Sequence, residues 1–341
     1  MGENNIPYYK DYDEYDNGEV EDKIVFDSEV MSQYLGKNLS KGFGAHNPAD
    51  LPAMTFCYIL NPESEDVIKV NELGVSKYGD PGFEFQEFVL NHIEPSKTLE
   101  IAVSQSVGRR AQMEDTVVVD CTSVEGTDVI GVFDGHGGKE AAYYCSDRFV
   151  PVYLEKKGDF EDRVKQTTAQ LHTETAKDSN SGTTATVVFV DKETIRVAFV
   201  GDSPAFVVRN NTLKKVTKDH KATNSDEAKR IQNNGGVILS VLGTKRVNGQ
   251  IMITRSIGDK ELHPPLSTEP EIVSLKRSEV DWLLVMSDGI TDVVTEKELG
   301  EMVKKSGGLF NLSFDTLKMA YLNDSSDNLT LIAIKVPKQQ L

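Results

Sequence analysis

Val129-Ile130-Gly131-Val132-Phe133-Asp134-Gly135-His136-Gly137-Gly138 is the stretch that decides how this chain is read. An apolar run that ends in a carboxylate and passes into glycines and a histidine describes a buried strand delivering an acid to a tight turn with exposed backbone. The pattern recurs. Trp282-Leu283-Leu284-Val285-Met286 runs into Ser287-Asp288-Gly289, and residues 196–200 run into Gly201-Asp202-Ser203. Further on, Asp327-Asn328 opens the strand-like Leu329-Thr330-Leu331-Ile332-Ala333-Ile334. A single Asp before Gly is ordinarily a turn former or a cap. Several carboxylates at strand ends, each beside a turn, are instead what a multi-metal site on the rim of a sheet requires.

Working outward, strand-like and helical stretches alternate in blocks rather than one for one. Strands are expected over 101–107, 116–120 and 129–133, followed by helices over 140–156 and 160–177. A meander over 185–190, 194–200, 205–209 and 214–216 turns at Asp191-Lys192 and Asn210-Asn211. Helices are expected again over 225–233, closed by Gly235-Gly236, and over 296–305 and 314–322. Long meanders with helices in consecutive pairs predict an α+β fold with antiparallel sheets.

The beginning of the chain is different. Residues 1–22 hold eight acids against Lys10, with Tyr8, Tyr9, Tyr12 and Tyr15 among them and no apolar period, and read as a disordered acidic tail. From 23 to 97 the composition turns globular. Residues 54–60, a turn at Asn61-Pro62-Glu63-Ser64, and residues 67–70 fit a hairpin, while 83–92 reads as a strand or a short helix. The segment is short for a core of its own, so an extension packed on the larger domain 98–337 is preferred to a separate small module.

The 341 residues carry a formal net charge of −17, with 38% hydrophobic and 27% charged residues. That balance argues against nucleic acid, which needs a basic footprint. The apolar runs are strand-length, so no membrane span is expected, and no secretory leader is read. Met1-Gly2 is followed by Ile6 where a myristoylation signal wants Ser or Thr. Cys57, Cys121 and Cys145 lack metal-type spacing and read as reduced thiols. A cytoplasmic or nuclear monomer is expected, the cytoplasm first.

Nine motifs, taken in order, resemble those of the metal-dependent Ser/Thr protein phosphatases of the type 2C class. They are Arg110-Ala111-Gln112-Met113-Glu114-Asp115, the 134–138 pentapeptide, Ser181-Gly182-Thr183-Thr184-Ala185 and Gly201-Asp202-Ser203, then Asp219-His220-Lys221, Arg246-Val247-Asn248-Gly249, Arg255-Ser256-Ile257-Gly258-Asp259, Asp288-Gly289 and Asp327-Asn328. The resemblance runs from about residue 99 to 336. It implies two antiparallel sheets packed face to face with helices on both outer faces, an αββα sandwich.

It also implies chemistry. No Cys-x5-Arg loop and no nucleophile elbow occurs in the sequence, so covalent catalysis is disfavoured and a metal-activated water is the economical route. By resemblance, Asp134 bridges two divalent ions, and the Gly135 carbonyl and Glu114 serve one of them. Asp288 and Asp327 serve the other, and Asp115 orients waters from behind. Oxygen-only ligation fits Mg²⁺ or Mn²⁺ rather than zinc. The resemblance makes Arg110 the phosphate binder, His136 the general acid and Arg246 a helper in phosphopeptide binding. Asp202 and Asp292 are implied at a third, loosely held metal, with Thr184 nearby.

Arg109 reads as a solvated surface charge, Ser203 as a turn cap, and Gly182 and Gly201 as sites of close backbone packing. Pro204, Thr291 and Ala222 depart from the family's pattern near the third metal and the flap expected over 221–250. The leading expectation is hydrolysis of phosphoserine and phosphothreonine in phosphorylated proteins, without a phosphoenzyme. A pseudophosphatase scaffold and a hydrolase of small phosphate esters are the alternatives.

Overall fold

The computed structural model of the chain describes residues 55–60, 67–72, 96 and 98–338. The tail 1–22 and the aromatic stretch 83–92 lie outside the described residues. The hairpin β1 (Thr55–Leu60) and β2 (Val67–Glu72) precedes β3 (Glu100–Ser106), β4 (Thr116–Asp120), β5 (Asp128–Phe133) and the two-residue β6 (Gly135–His136). Next come α1 (Glu140–Glu155), α2 (Phe160–Asp178), β7 (Gly182–Thr183), β8 (Ala185–Val190), β9 (Thr194–Val200), β10 (Ala205–Arg209) and β11 (Thr212–Lys215). They are followed by α3 (Ser225–Asn233), β12 (Ile238–Val241), β13 (Thr244–Val247), β14 (Ile257–Gly258), β15 (Glu271–Lys276) and β16 (Trp282–Met286). The short α4 (Asp288–Thr291), then α5 (Glu296–Lys305), α6 (Leu309–Leu322) and β17 (Leu329–Lys335) close the series.

The strands form a seven-stranded sheet, in the order β11-β10-β16-β17-β3-β1-β2, and a five-stranded sheet, β15-β9-β8-β5-β4. Neighbours in both are antiparallel. Side chains of a strand alternate between faces, and here both faces are apolar. Leu283, Val285, Ile332 and Ile334 of one sheet meet Val117, Val119, Ile130 and Val132 of the other in the shared core. Their neighbours Leu284, Met286, Leu331 and Ala333 turn outward onto Ile290, Leu299, Leu312 and Leu317 of α4, α5 and α6. On the other side Val129 and Phe133 pack against Cys145, Phe149 and Leu171 of α1 and α2. This is the αββα sandwich the resemblance implies.

Burial on both faces explains why these strands read as continuous apolar runs. Truncating any one of these leucines or isoleucines to Ala is a cavity mutation costing about 2–5 kcal/mol. Helix starts follow the caps: Asp159 accepts from the Asp162 N–H at 2.9 Å, and Thr295 with Glu298 forms a reciprocal capping box ahead of α5.

Several boundaries differ from expectation. β11 starts at Thr212 because Asn210 and Asn211, with φ of 50° and 58°, form a two-residue turn from which the strand resumes at once. α6 starts at Leu309 rather than 314, since Leu309 and Leu312 bury under the seven-stranded sheet. The edge strand β15, the β12–β13 hairpin and the ribbon β14-β7-β6 escape the pattern, being polar, exposed or only two residues long. Among the described residues no helix is long and apolar enough to cross a membrane.

Candidate active site

The acids gather where strands of both sheets run out. Asp134 leaves β5 and its backbone is fixed from both sides. Its N–H donates to Thr184 Oγ1 at 3.2 Å, and its carbonyl accepts from the Thr184 N–H at 2.9 Å and the Thr183 hydroxyl at 3.1 Å. The backbone is thereby held, and the carboxylate of this half-buried residue sits among Asp115, Asp202, Asp288 and Asp327. Gly135 follows because a Cβ there would collide with the Glu114 carbonyl, so only glycine lets the Glu114 loop close onto β6. Asp288 opens α4 directly after β16, and Asp327 stands one residue before Asn328 at the entry to β17.

Asn328 ties the loop between β3 and β4 to β17. Its Oδ1 accepts from the Glu114 N–H at 2.8 Å, and its Nδ2 donates to the carbonyls of Val107 at 3.0 Å and Gln112 at 2.9 Å. Sequence reading passed over this residue as the partner of a motif aspartate.

The carboxylates strain against one another. Burial, and then the charges of Asp115, Asp288, Asp202 and Asp327, hold Asp134 well above the usual carboxylate range. Burial, Asp202 and Asp292 do the same for Asp288, against the opposing charge of Lys221. Burial pushes Asp115 up to about 7, and its Oδ2 is buried with no hydrogen-bond partner among the described residues. Glu114 and Asp292 are raised chiefly by burial, opposed by Arg110 and Lys221 respectively.

Two cations lean into this field. Arg110 donates from Nη2 to Asp327 Oδ2 at 2.9 Å and from Nε to the Ser326 carbonyl at 2.8 Å, with its side chain 48% exposed. Lys221 Nζ lies 3.0 Å from Asp202 Oδ2, 3.6 Å from Asp288 Oδ2 and 3.8 Å from Asp292 Oδ1. Burial alone would lower Lys221, but these three carboxylates outweigh it and raise its affinity for the proton. The resemblance implies Asp202 and Asp292 at a third metal, and in the structure the Lys221 ammonium lies beside both. The motif Asp219-His220-Lys221 was the signal for that lysine.

Other expected residues sit as follows. Thr184 Oγ1 and Ser203 Oγ are 2.7 Å apart in the buried turn behind Asp134. His136, at the edge of the ribbon, keeps 30% of its side chain exposed and lies 2.8 Å from Asp259. Arg246 is on the β12–β13 hairpin, where Nη1 donates to the Gln250 carbonyl at 2.7 Å, and no contact joins it to the acids among the described residues. Arg109 is not the loose surface charge expected. It donates to the carbonyls of Tyr321 at 2.7 Å and Ser325 at 3.0 Å and to Asp324 Oδ1 at 3.0 Å, and it stacks on the Tyr321 ring. That clamp anchors the Arg110 loop to the end of α6.

A cluster of carboxylate oxygens at the rim of an αββα sandwich, with an arginine beside it, suits phosphoester hydrolysis. Comparison with known proteins agrees. The family model for protein phosphatase 2C matches residues 99–329. The chain is 33% identical over 246 residues to "Probable protein phosphatase 2C 45" of Oryza sativa subsp. japonica, covering 68% of this chain and 86% of that protein. It is 34% identical to "Probable protein phosphatase 2C member 13, mitochondrial" of the same rice, covering 70% and 68%.

Among solved structures, a C. elegans sex determining protein matches with a TM-score of 0.66 at 26% identity, over 72% of this chain and 66% of that one. Serine-threonine phosphatase 2C from Toxoplasma gondii shares the fold with a TM-score of 0.64 at 19% identity, over 72% and 97%. The chain belongs to the protein phosphatase 2C family and is, on that membership, a serine/threonine protein phosphatase. The scaffold alternative is not favoured, since the family model and the relatives that the chain matches are those of protein phosphatases.

Proposed function

We propose that residues 98–337 are a catalytic domain that hydrolyses phosphoserine and phosphothreonine in proteins with the help of divalent cations, Mg²⁺ or Mn²⁺. The cations are held by Asp134, Asp288, Asp327, Glu114 and the Gly135 carbonyl, with Asp115 behind them. The observation that carries this reading is the convergence of carboxylates that raise one another's affinity for protons. Such a cluster is relieved by positive charge placed among the oxygens, and Asp115 Oδ2, buried without a hydrogen-bond partner among the described residues, is one acceptor open to it.

All candidate donors are oxygens, which suits hard cations. Among the described residues no group of three or more His, Cys, Asp or Glu stands arranged to hold a metal ion, so water would have to supply part of the shell. An open shell completed by water is the arrangement that Mg²⁺ tolerates best. When bound, such cations neutralise phosphate charge and make water acidic enough to serve as the nucleophile.

The chain's own groups divide the remaining work. Arg110 turns its planar fork from Asp327 to two phosphate oxygens, a geometry that lysine does not offer. His136 holds the proton that the departing serine or threonine oxygen must take. Arg246, on its hairpin, meets the flanking peptide. A third cation near Asp202 and Asp292 has to displace the Lys221 ammonium, so that site is weak. The enzyme acts as a cytoplasmic monomer in this reading. Titration of the purified protein with Mn²⁺ by calorimetry tests it: two equivalents should bind, and Asp134→Asn should bind markedly less tightly.

A further inference from the structure

His136 and Asp259 meet across a glycine. In the ribbon β14-β7-β6, His136 pairs with Gly182, and Gly182 pairs in turn with Gly258. Asp259 comes next, at φ 46°, with its N–H donating to the Ser181 carbonyl at 3.0 Å. That turn carries its carboxylate back over the middle strand. A Cβ on Gly182 would collide with both Asp259 Oδ2 and His136 Nε2. The side chain missing at 182 is therefore the space in which the two groups touch, 2.8 Å from His136 Nε2 to Asp259 Oδ2. The same carboxylate oxygen accepts from the Ser256 hydroxyl at 2.6 Å, and Ser256 lies 3.3 Å from His263 Nε2. Asp259 is 7% exposed and His136 30%, so the pair has a fixed, buried end and an open end.

We infer that Asp259 is a positioning residue for proton transfer to the leaving group. It accepts the Nε2–H of His136, fixes the ring's rotation and tautomer, and leaves Nδ1 as the atom that meets the departing oxygen. An imidazole without that acceptor is free to turn and present either nitrogen. The inference rests on the reading of His136 as general acid. In the transfer the Nδ1–H bond breaks and an O–H bond forms on the serine or threonine oxygen, which keeps the electron pair of the broken P–O bond. The Nε2 proton stays between ring and carboxylate throughout, and Asp259 takes none. A carboxylate that served only to staple β14 to β6 would have no preference among substrates.

That difference is measurable. Asp259→Gly removes the carboxylate while keeping a residue that accepts positive φ. It is compared with wild type, His136→Ala and the double variant on a phosphothreonine peptide and on p-nitrophenyl phosphate. Nitrophenolate leaves without a proton, whereas an alkoxide does not. Asp259→Gly should slow the peptide about 10–10²-fold, in the range for partners that orient a functional histidine, and the aryl ester by much less. In the His136→Ala background it should add no further selective loss. Equal losses on both substrates, or losses that multiply with those of His136→Ala, would overturn the role of Asp259. Equal losses from His136→Ala alone would instead overturn the general-acid reading, so the two failures are told apart.

Discussion

Arg110 Nη2 lies 2.9 Å from Asp327 Oδ2, so the arginine assigned to the phosphate is folded onto a carboxylate assigned to a cation. The pair is half exposed, 48% and 39%, and contributes little to stability. Its value is in the exchange of one anion for another. Arg110→Ala should therefore leave the melting temperature within about 1 °C while raising KM for a phosphopeptide roughly tenfold or more, the scale of a charge-assisted hydrogen bond. Arg110→Lys should recover only part of that. Steady-state kinetics on one phosphothreonine peptide decide it, and an unchanged KM would remove Arg110 from the phosphate site.

Lys221 stands among three carboxylates at 3.0–3.8 Å. Lys221→Met keeps the length of the side chain and removes the charge. With chelator present, the melting temperature should fall by a few degrees, because the acids lose their counter-ion. Mn²⁺ should bind several-fold more tightly to the variant, because no ammonium competes. Melting curves with EDTA and calorimetry with Mn²⁺ read the two effects separately, and neither should appear if the lysine is merely solvated.

His220 is fully buried, stacked at 5.1 Å on Phe199, and its Nδ1 accepts from the Gly201 N–H at 3.1 Å. Burial, and then the nearby Arg255, push it down to about 3. Burial likewise pushes His263 down to about 4. Burial would raise Glu227, but hydrogen bonds from Arg255, Arg230 and Thr254 outweigh it and hold Glu227 well below its usual range. All three bind fewer protons folded than unfolded, so stability is lost on acidification, beginning as pH drops below about 6.5. Asp115, Asp134 and Asp288, which bind more protons folded than unfolded, oppose this between pH 7 and pH 5, so the share of the histidines is the part that a variant removes. His220→Phe keeps a buried ring that does not titrate, and should lose less stability than wild type, or gain more, from pH 7 to pH 5, each measured from its own baseline. A parallel pH profile in the variant would show that His220 is not the source.

Much of this was legible in the sequence, for a physical reason. β4, β5, β8, β9, β10 and β16 are buried on both faces along most of their length, and such strands announce themselves as nearly continuous apolar runs with clear ends. The acids stand at those ends, so Asp134 and Asp288 could be read with their strands. What escaped depends on contacts between segments far apart in the chain. Asp259 meets His136 only through a ribbon of two-residue strands, which has no periodicity to read. Lys221 reaches Asp292 across 71 residues, and Arg109 reaches Tyr321 across 212. A charge in a sequence carries no mark of the partner that will hold it, which is why Arg109 read as solvated.

If oxygen-held divalent cations at Asp134 drive hydrolysis, phosphate release from a phosphothreonine peptide must depend on them. The wild-type protein is assayed with Mn²⁺, with EDTA, and with EDTA followed by excess Mn²⁺, beside Asp134→Asn under the same conditions. Turnover is expected with Mn²⁺ and none with EDTA, with recovery on adding the metal back and activity near background in folded Asp134→Asn. Turnover that persists in EDTA, or a folded Asp134→Asn that works at the wild-type rate, would contradict it.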